Sequence, residues 1–396
     1  MLNGLRLIHS DFLVPVTHKP IKDGCVVINK NHIIDFGKFE ELKSKYNGLR
    51  TFYYKGALMP GLVNSHTHLE LSTFKNSIHA SGKGLPDWLG KFNKIAPGKN
   101  IKKTLHSIES DVKEMKKNGT VAVGDISNTG CTLGILEKQK MLGTVFREYY
   151  DILGAIACKI RDTKTGKEPV STSLSPHALY STSRKNFNDV VRMNRNAGRK
   201  TSMHFYEDNS EVKFIREKSG PLGEFLISLW PGTEKYYDNV LRINEFMKIV
   251  SDDFILVHCV SINKKIIGDL RKKKPSIVIC PRSNIFISGK LPPVYDIVKN
   301  KINVAIGTDS LASCHDLDVR NEIVLIRNKF KRLEHNFILR MATLNGAIAL
   351  GLEDKIGSID KGKQPCIINV EFDEDVNNAE KFIVNNIEKL TVRRIF

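Results

Sequence analysis

Two histidines one residue apart, His66 and His68 in VNSHTHLELS, are the first residues of this chain whose spacing could do chemistry. Side chains along a strand alternate between faces, so residues i and i+2 share one. Two imidazoles on one face can reach a single ion, with bonds of about 2.0–2.1 Å if the ion is zinc. An HxH alone could as well be a strand that happens to carry two histidines. Its weight comes from company: His177 in SPHALYS, His204 and Glu207 in MHFYE, His258 in LVHC and Asp309 in IGTDS each close a short β-like run. His204 would add a third nitrogen and Asp309 a carboxylate oxygen, leaving a position for water. Zinc lowers the pKa of a water it binds to roughly 7, which gives a hydroxide nucleophile at neutral pH. Three imidazoles and one carboxylate suit Zn2+ and Fe2+ alike. Taken singly, each position has a plainer reading: His258 as a satisfied core residue, GTDS as a turn or helix cap.

The elements that must hold these residues read as alternating strands and helices. Apolar, β-like runs fall at 59–64, 119–125, 143–150, 171–176, 200–205, 254–258, 276–280 and 302–307. Between them lie helix-like stretches such as 101–118, where Ile101, Leu105, Ile108, Val112 and Met115 recur at spacings of three and four. Eight strands alternating with helices, over about 290 residues, is the pattern of a (β/α)8 barrel, whose active site collects at the C-terminal ends of the strands. The histidines and Asp309 all fall at such ends. Residues 1–57 alternate apolar and polar in short pieces (CVVINKNHIIDFG), and 355–396 return to short strands.

Composition narrows the rest. The 396 residues carry 61 Lys and Arg against 43 Asp and Glu, a net charge of +18. The basic residues are spread along the whole chain, RKKK at 271–274 included, with no nucleic-acid-binding motif, so a solvated basic surface is the first reading. An anionic substrate and polyanion binding are the others. No run of 18 apolar residues marks a membrane span. The N-terminus lacks the pattern of a secretory signal, and the seven cysteines are scattered without a CxxC, which fits a reducing, cytoplasmic setting.

In this order, PGLVNSHTHLELS, HFYE, LVHC and GTDS make the chain resemble the amidohydrolase superfamily, in its single-metal deaminase branch, along essentially its whole length. The resemblance implies an α/β fold: a distorted (β/α)8 TIM barrel over 58–354 and a small β-sandwich built from both chain ends, 1–57 and 355–396. Two-metal members end their fourth strand with a carboxylated lysine. Here STSLSPHALYSTS has no lysine before Lys185, which implies one divalent metal, Zn2+ or Fe2+, on His66, His68, His204 and Asp309. The implied activity is hydrolytic deamination of an adenine-type nucleoside. Glu207 would protonate the ring nitrogen beside the attacked carbon. His258 and Asp309 would orient and deprotonate the water, and Asp309 would pass a proton to the departing ammonia.

Within the branch, HTHLELS and SPHALYSTS are similar to members that convert 6-amino-6-deoxyfutalosine to futalosine in menaquinone biosynthesis. His177 and Arg147 then correspond to ligand contacts. Arg147 would meet a substrate carboxylate in the fork geometry of a guanidinium, or else pair with Glu148 at the barrel end. Glu70 and Ser72, just beyond the HxH, are expected to line the pocket. Alternatives on the same site are deamination of S-adenosylhomocysteine, methylthioadenosine or guanine, and chlorohydrolysis. A rival of another class is a polyanion-binding protein with a vestigial site, which would hold RNA or heparin in a salt-dependent way and turn nothing over. Oligomeric state is left open, a homodimer included.

Overall fold

The computed structural model describes residues 4–79, 82–96, 101–151 and 169–395. Its strands, in chain order, are β1 (Arg6–Leu13), β2 (Ile21–Ile28), β3 (Ile33–Lys38), β4 (Thr51–Pro60), β5 (Leu62–Thr67), β6 (Thr120–Ser127), β7 (Leu142–Tyr149) and β8 (Val170–Pro176). They continue with β9 (Thr201–Phe205), β10 (Phe254–His258), β11 (Ser276–Ile279), β12 (Asn303–Ile306), β13 (Ile367–Glu371) and β14 (Thr391–Arg394). The chain divides into two compact units, one of Met1–Asn64, Lys113–Ala122 and Asp318–Phe396, the other of Ser65–Val112 and Val123–Leu317.

In the first unit both chain ends enter one six-stranded sheet, in the order β14-β13-β4-β1-β2-β3. The period-two alternation of its strands fills both faces. Ile8, Val26 and Ile28 join Leu13, Ile33, Leu58, Ile359 and Ile367 on one side, while Leu7, Cys25 and Val27 pack with Leu42 on the other. Between Ser10 and Phe12 the β1–β4 register shifts, and β4 spends an extra residue there. Gly56 makes this possible: it sits at φ +93°, and a Cβ on it would stand 2.2 Å from the carbonyl oxygen of Val370. Asp11 ties the bulge down, accepting from Gly56 N and from the Tyr53 hydroxyl, each at 2.7 Å.

A second carboxylate of this unit makes a testable contribution. Asp35 is 4% exposed and accepts from Lys45 Nζ at 2.6 Å and the Tyr46 hydroxyl at 3.1 Å, with Lys361 Nζ at 2.8 Å. Burial alone would raise its pKa, but these three donors outweigh it and bring it down to about 2. Its folded pKa is therefore below the unfolded value, so its contribution is present above about pH 4 and is lost as pH falls through 2. Asp35→Asn is expected to cost about 2 kcal/mol at pH 7, and the deficit should shrink below pH 4. Urea melts between pH 7 and pH 3 check this; a deficit that stays constant across that range would remove the ionic explanation.

Strands β5 to β12 form two four-stranded sheets, β5-β6-β7-β8 and β9-β10-β11-β12, and parallel bridges join them at both seams, Ala178 to His204 and Thr67 to Asp309. The α/β arrangement with parallel sheets is as expected from the sequence. The strands are buried along nearly their whole length, β5, β6, β9 and β10 at every residue. This is why the sequence shows near-continuous apolar runs rather than alternation. Seven of the eight expected strands lie within two residues of those observed. The eighth, 59–64, combines the end of β4 and the start of β5, which part at Gly61. A side chain there is excluded, because a Cβ would stand 2.2 Å from Val121 Cγ1.

The intervening helices are capped by their own sequence. Ser183 accepts from Asn186 N at the head of Arg184–Asn196, and Asn263 accepts from Ile266 N at the head of Lys264–Lys273. The RKKK run closes this second helix: Arg271, Lys272 and Lys273 form its last turn, where positive charge complements the helix dipole, and Lys274 ends it at φ +56°. No helix among the described residues is long and apolar enough to cross a membrane.

Candidate metal centre

The strand ends of the second unit bring four histidines and an aspartate together. Thr308 N and Asp309 N both donate to His66 O at 3.1 Å, which fixes β12 against β5. The backbones approach so closely that a Cβ on Gly307 would lie 2.8 Å from His66 Cβ. On the far seam His204 N donates to His177 O at 2.9 Å. Register then sets the rest, since His204 pairs with Val257 and His258 with Phe205.

The Nε2 atom of His68 lies 3.2 Å from Nε2 of His66 and 3.2 Å from Nε2 of His204. Asp309 Oδ1 stands 3.4 Å from His68 Nε2 and 3.7 Å from His66 Nε2. Ligands on a tetrahedral ion at about 2.0 Å would be about 3.3 Å apart, and the four separations above run from 3.2 to 3.7 Å. The donor chemistry fits as well. His204 Nδ1 lies 3.0 Å from His177 O, a contact that fixes the proton on Nδ1 and leaves Nε2 bare. Burial pushes the His204 pKa down to about 4, and burial with the neighbouring His66 holds that of His68 well below its usual value. Burial opposes ionisation of Asp309, but its hydrogen bond with His66 and the flanking imidazoles outweigh this and hold it below the usual carboxylate range. Neutral imidazoles converging with one carboxylate are a ligand set for a divalent cation.

The second oxygen of Asp309 is fixed by hydroxyls. Ser283 Oγ donates to Oδ2 at 2.6 Å and Ser313 Oγ at 2.9 Å. His258, fully buried, points its Nε2 toward Glu207 Oε1 at 3.6 Å and meets the Asn284 side chain at Nδ1, 2.9 Å away. The backbone is strained around this cluster: Tyr206, His258, Cys259 and Asp309 have φ of +49°, +71°, +53° and +64°.

Glu207 is 6% exposed and held through its backbone, with N donating to Glu211 Oε2 at 3.0 Å and O accepting from Ser288 Oγ at 2.8 Å. Burial first, then the carboxylates of Asp309, Glu211 and Asp208, push its pKa well up, which favours its protonated form. Glu211 has no exposed surface, and burial raises it to about 8. Because its folded pKa exceeds the unfolded value, its favourable contribution is complete below about pH 4 and is lost as pH rises toward 8. Glu211→Gln keeps the acceptor for Glu207 N and removes that dependence. Its stability relative to the parent is expected to rise by about 1 kcal/mol or more between pH 5 and pH 8. Thermal melts of the two proteins at matched metal content would expose an error, since parallel curves contradict the expectation.

Of the residues expected to contact substrate, His177 joins the cluster. Its ring centroid is 4.9 Å from that of His204, its Nδ1 lies 2.6 Å from Ser181 Oγ, and burial lowers its pKa to about 4. Ser72 is buried in the turn Leu69–Phe74, and its hydroxyl has no hydrogen-bond partner among the described residues. Glu70 is engaged elsewhere. Its Oε1 accepts from Ser127 Oγ, from Thr129 N and Oγ1 at 3.0 and 2.7 Å, and from Gly130 N at 3.2 Å, which organises the loop after β6. Arg147 is not brought to the histidines. It donates to Asn128 O at 3.1 Å and lies against Gly130. Strand alternation gives the inward position to its neighbour Glu148, whose Oε1 is 3.6 Å from His204 Nδ1 and whose Oε2 accepts from Asn128 Nδ2 at 2.9 Å. Ser283, Asn284, Glu211 and Ser313 are the parts of the site that the sequence did not single out, and Glu148 was named there only as a partner for Arg147.

An α/β fold of parallel sheets thus carries at its strand ends a cluster fit to hold a divalent metal. The amidohydrolase family model matches residues 57–394, and the chain belongs to that family. It is 25% identical to the 5-methylthioadenosine/S-adenosylhomocysteine deaminase 1 of Syntrophus aciditrophicus, over 95% of this chain and 86% of that protein. Its fold is similar to that of Helicobacter pylori aminofutalosine deaminase in complex with methylthio-coformycin, with a TM-score of 0.85, 20% identity and coverage of 98% of this chain and 97% of the other. An adenosine deaminase from Xanthomonas campestris with bound zinc gives a TM-score of 0.77 at 22% identity, covering 97% of this chain and 89% of the other.

Proposed function

We propose that the protein is a hydrolytic deaminase of an adenine-type nucleoside, with 6-amino-6-deoxyfutalosine as its substrate and futalosine and ammonia as products. The observation that carries this reading is Glu207, a buried carboxyl whose protonated form burial favours, beside His258 and the cluster of His66, His68, His204 and Asp309. Those four residues would hold one zinc or ferrous ion. When bound, the ion supplies Lewis-acid activation of a water molecule. The rest of the chemistry falls to the chain. Glu207 gives its proton to the ring nitrogen beside the carbon under attack, so that charge does not build on the purine as the new C–O bond forms. Asp309, ionised, takes one proton from the water and gives it to the amino nitrogen; as the C–N bond breaks and ammonia leaves, the proton of the new hydroxyl passes to the Glu207 carboxylate, so that the carbonyl forms and the acid is restored. His258 and His177 each stand against the His204 ring and would orient the water and the substrate.

A second reading is favoured by one contact. With Arg147 seated on the Asn128–Gly130 turn, its guanidinium is engaged away from the histidines, which suits a substrate with an uncharged 5′ substituent such as methylthioadenosine. Ammonia release from the metal-loaded protein decides among aminodeoxyfutalosine, methylthioadenosine, S-adenosylhomocysteine, adenosine and guanine. A preference for aminodeoxyfutalosine by tenfold or more in kcat/KM is the expected result. Preference for methylthioadenosine would transfer the assignment to the second reading, and silence from a metal-loaded protein across all five would remove deamination.

A further inference from the structure

The three imidazoles that would hold the ion are not supported alike. His66 lies within β5, and its carbonyl accepts from Thr308 N and Asp309 N, which places Asp309 at the same time. His204 lies within β9, in register with Val257 of β10. His68 stands one residue past the end of β5, at φ −124° and ψ +82°, and its side chain is the most exposed of the three. Its Nε2 nevertheless meets the Nε2 atoms of both other rings at 3.2 Å. A strand end does not explain that placement.

Two carboxylates do. Asp125, near the end of β6, has no exposed surface and accepts at Oδ1 from Leu69 N, the residue after His68, at 2.9 Å. Leu69 N belongs to the planar peptide that starts at the carbonyl of His68, so fixing it fixes the ψ of His68. Leu71 N returns to His68 O at 3.0 Å and closes the turn. Glu70, inside that turn, gathers Ser127 Oγ, Thr129 N and Oγ1 and Gly130 N on one oxygen, all from the loop that follows Asp125 along the chain. The turn is thus clasped twice to β6 and its loop. Asp125 is a costly way to make one hydrogen bond, because burial pushes its pKa up to about 8. An apolar residue of similar size would avoid that cost but could not accept from Leu69 N.

We propose that Asp125 and Glu70 are positioning residues that hold His68 within reach of the ion, Asp125 through the backbone of the next residue and Glu70 through the loop after β6. Neither acts as a ligand itself. This inference rests on His66, His68, His204 and Asp309 as the metal-holding set, and on no particular substrate.

The test is the zinc affinity of the metal-free protein, measured by competition with a chromophoric chelator, so no turnover is needed. Asp125→Asn keeps an acceptor for Leu69 N and is expected to stay within about threefold of the parent. Asp125→Val, which suits a buried strand but cannot accept, and Glu70→Ala are each expected to bind zinc about 10–100-fold more weakly. Glu70→Ala carries the test should Asp125→Val not fold. In a His68→Ala background Asp125→Val should cost no further affinity, since the residue it positions is gone. A structural role alone would lower the melting temperature of these variants, leave the zinc affinity of the folded protein unchanged and show no dependence on His68. If the parent binds no zinc, or His68→Ala binds it as the parent does, the ligand set fails and this inference with it. If His68→Ala weakens zinc binding while folded Asp125→Val and Glu70→Ala match the parent, the inference alone is overturned. An Asp125→Asn protein that falls as far as Asp125→Val overturns it too, because the acceptor would then not be what holds His68.

Discussion

Glu207→Gln is expected to lower kcat by about 10²–10⁴-fold while metal content and KM stay near those of the parent. The substitution is nearly isosteric, and the contacts that place residue 207 are made by its backbone, through Glu211 Oε2 and Ser288 Oγ, so they survive the change. What is lost is the proton. Burial, and the carboxylates of Asp309, Glu211 and Asp208 around it, favour the protonated form of Glu207. An amide in the same place can hydrogen-bond to a purine nitrogen but cannot transfer a proton as the C–O bond forms. Since Glu207 is not among the four expected metal-holding residues, zinc per protomer should be unchanged. A loss in kcat with metal intact therefore separates a proton-transfer role from a structural one. Full activity in Glu207→Gln would remove Glu207 from the chemistry and, with it, the main support for deamination.

How much of this is legible in the sequence follows from where each residue sits. The barrel strands can be read because parallel strands covered on both faces become apolar runs, and the histidines because they interrupt those runs at one end. The same burial hides which residue faces inward. In GTVFREYY both faces are apolar, so nothing in the run distinguishes Arg147 from Glu148, and residue type alone gives the guanidinium the place that the carboxylate occupies. Glu70 misleads in another way. It stands two residues from His68, yet its partners lie at Ser127, Thr129 and Gly130, brought beside it only by the pairing of strands. Ser283 and Asn284 have no signature at all. Their partners Asp309 and His258 are each 26 residues away, in opposite directions along the chain. Residues that bind a common ion announce themselves by type, whereas those that orient the ligands are ordinary polar residues defined by tertiary contact.

His66→Ala is expected to abolish activity by abolishing the metal. His66 is 1% exposed, and its Nε2 is one of three imidazole nitrogens that meet within hydrogen-bonding distance. Losing an outer partner of a metal ligand commonly weakens binding ~10–100-fold, and losing a ligand from a four-residue set should cost more than that. The consequence can be read without any substrate. A ligand that binds the folded state alone stabilises it by RT ln(1 + [L]/Kd), about 4 kcal/mol at a thousandfold excess over Kd. Zinc should therefore raise the melting temperature of the metal-free parent and leave that of His66→Ala nearly unmoved. The metal-free forms are a necessary comparison, because removing a buried imidazole leaves a cavity with its own cost. That cost is partly offset, since His66 Nδ1 is buried without a partner among the described residues and its loss relieves an unsatisfied group. If metal-free His66→Ala melts close to the metal-free parent but gains nothing from zinc, the histidine serves the ion. If zinc still stabilises it fully and stays bound through dialysis, the ion is held elsewhere, and the three converging imidazoles need another explanation.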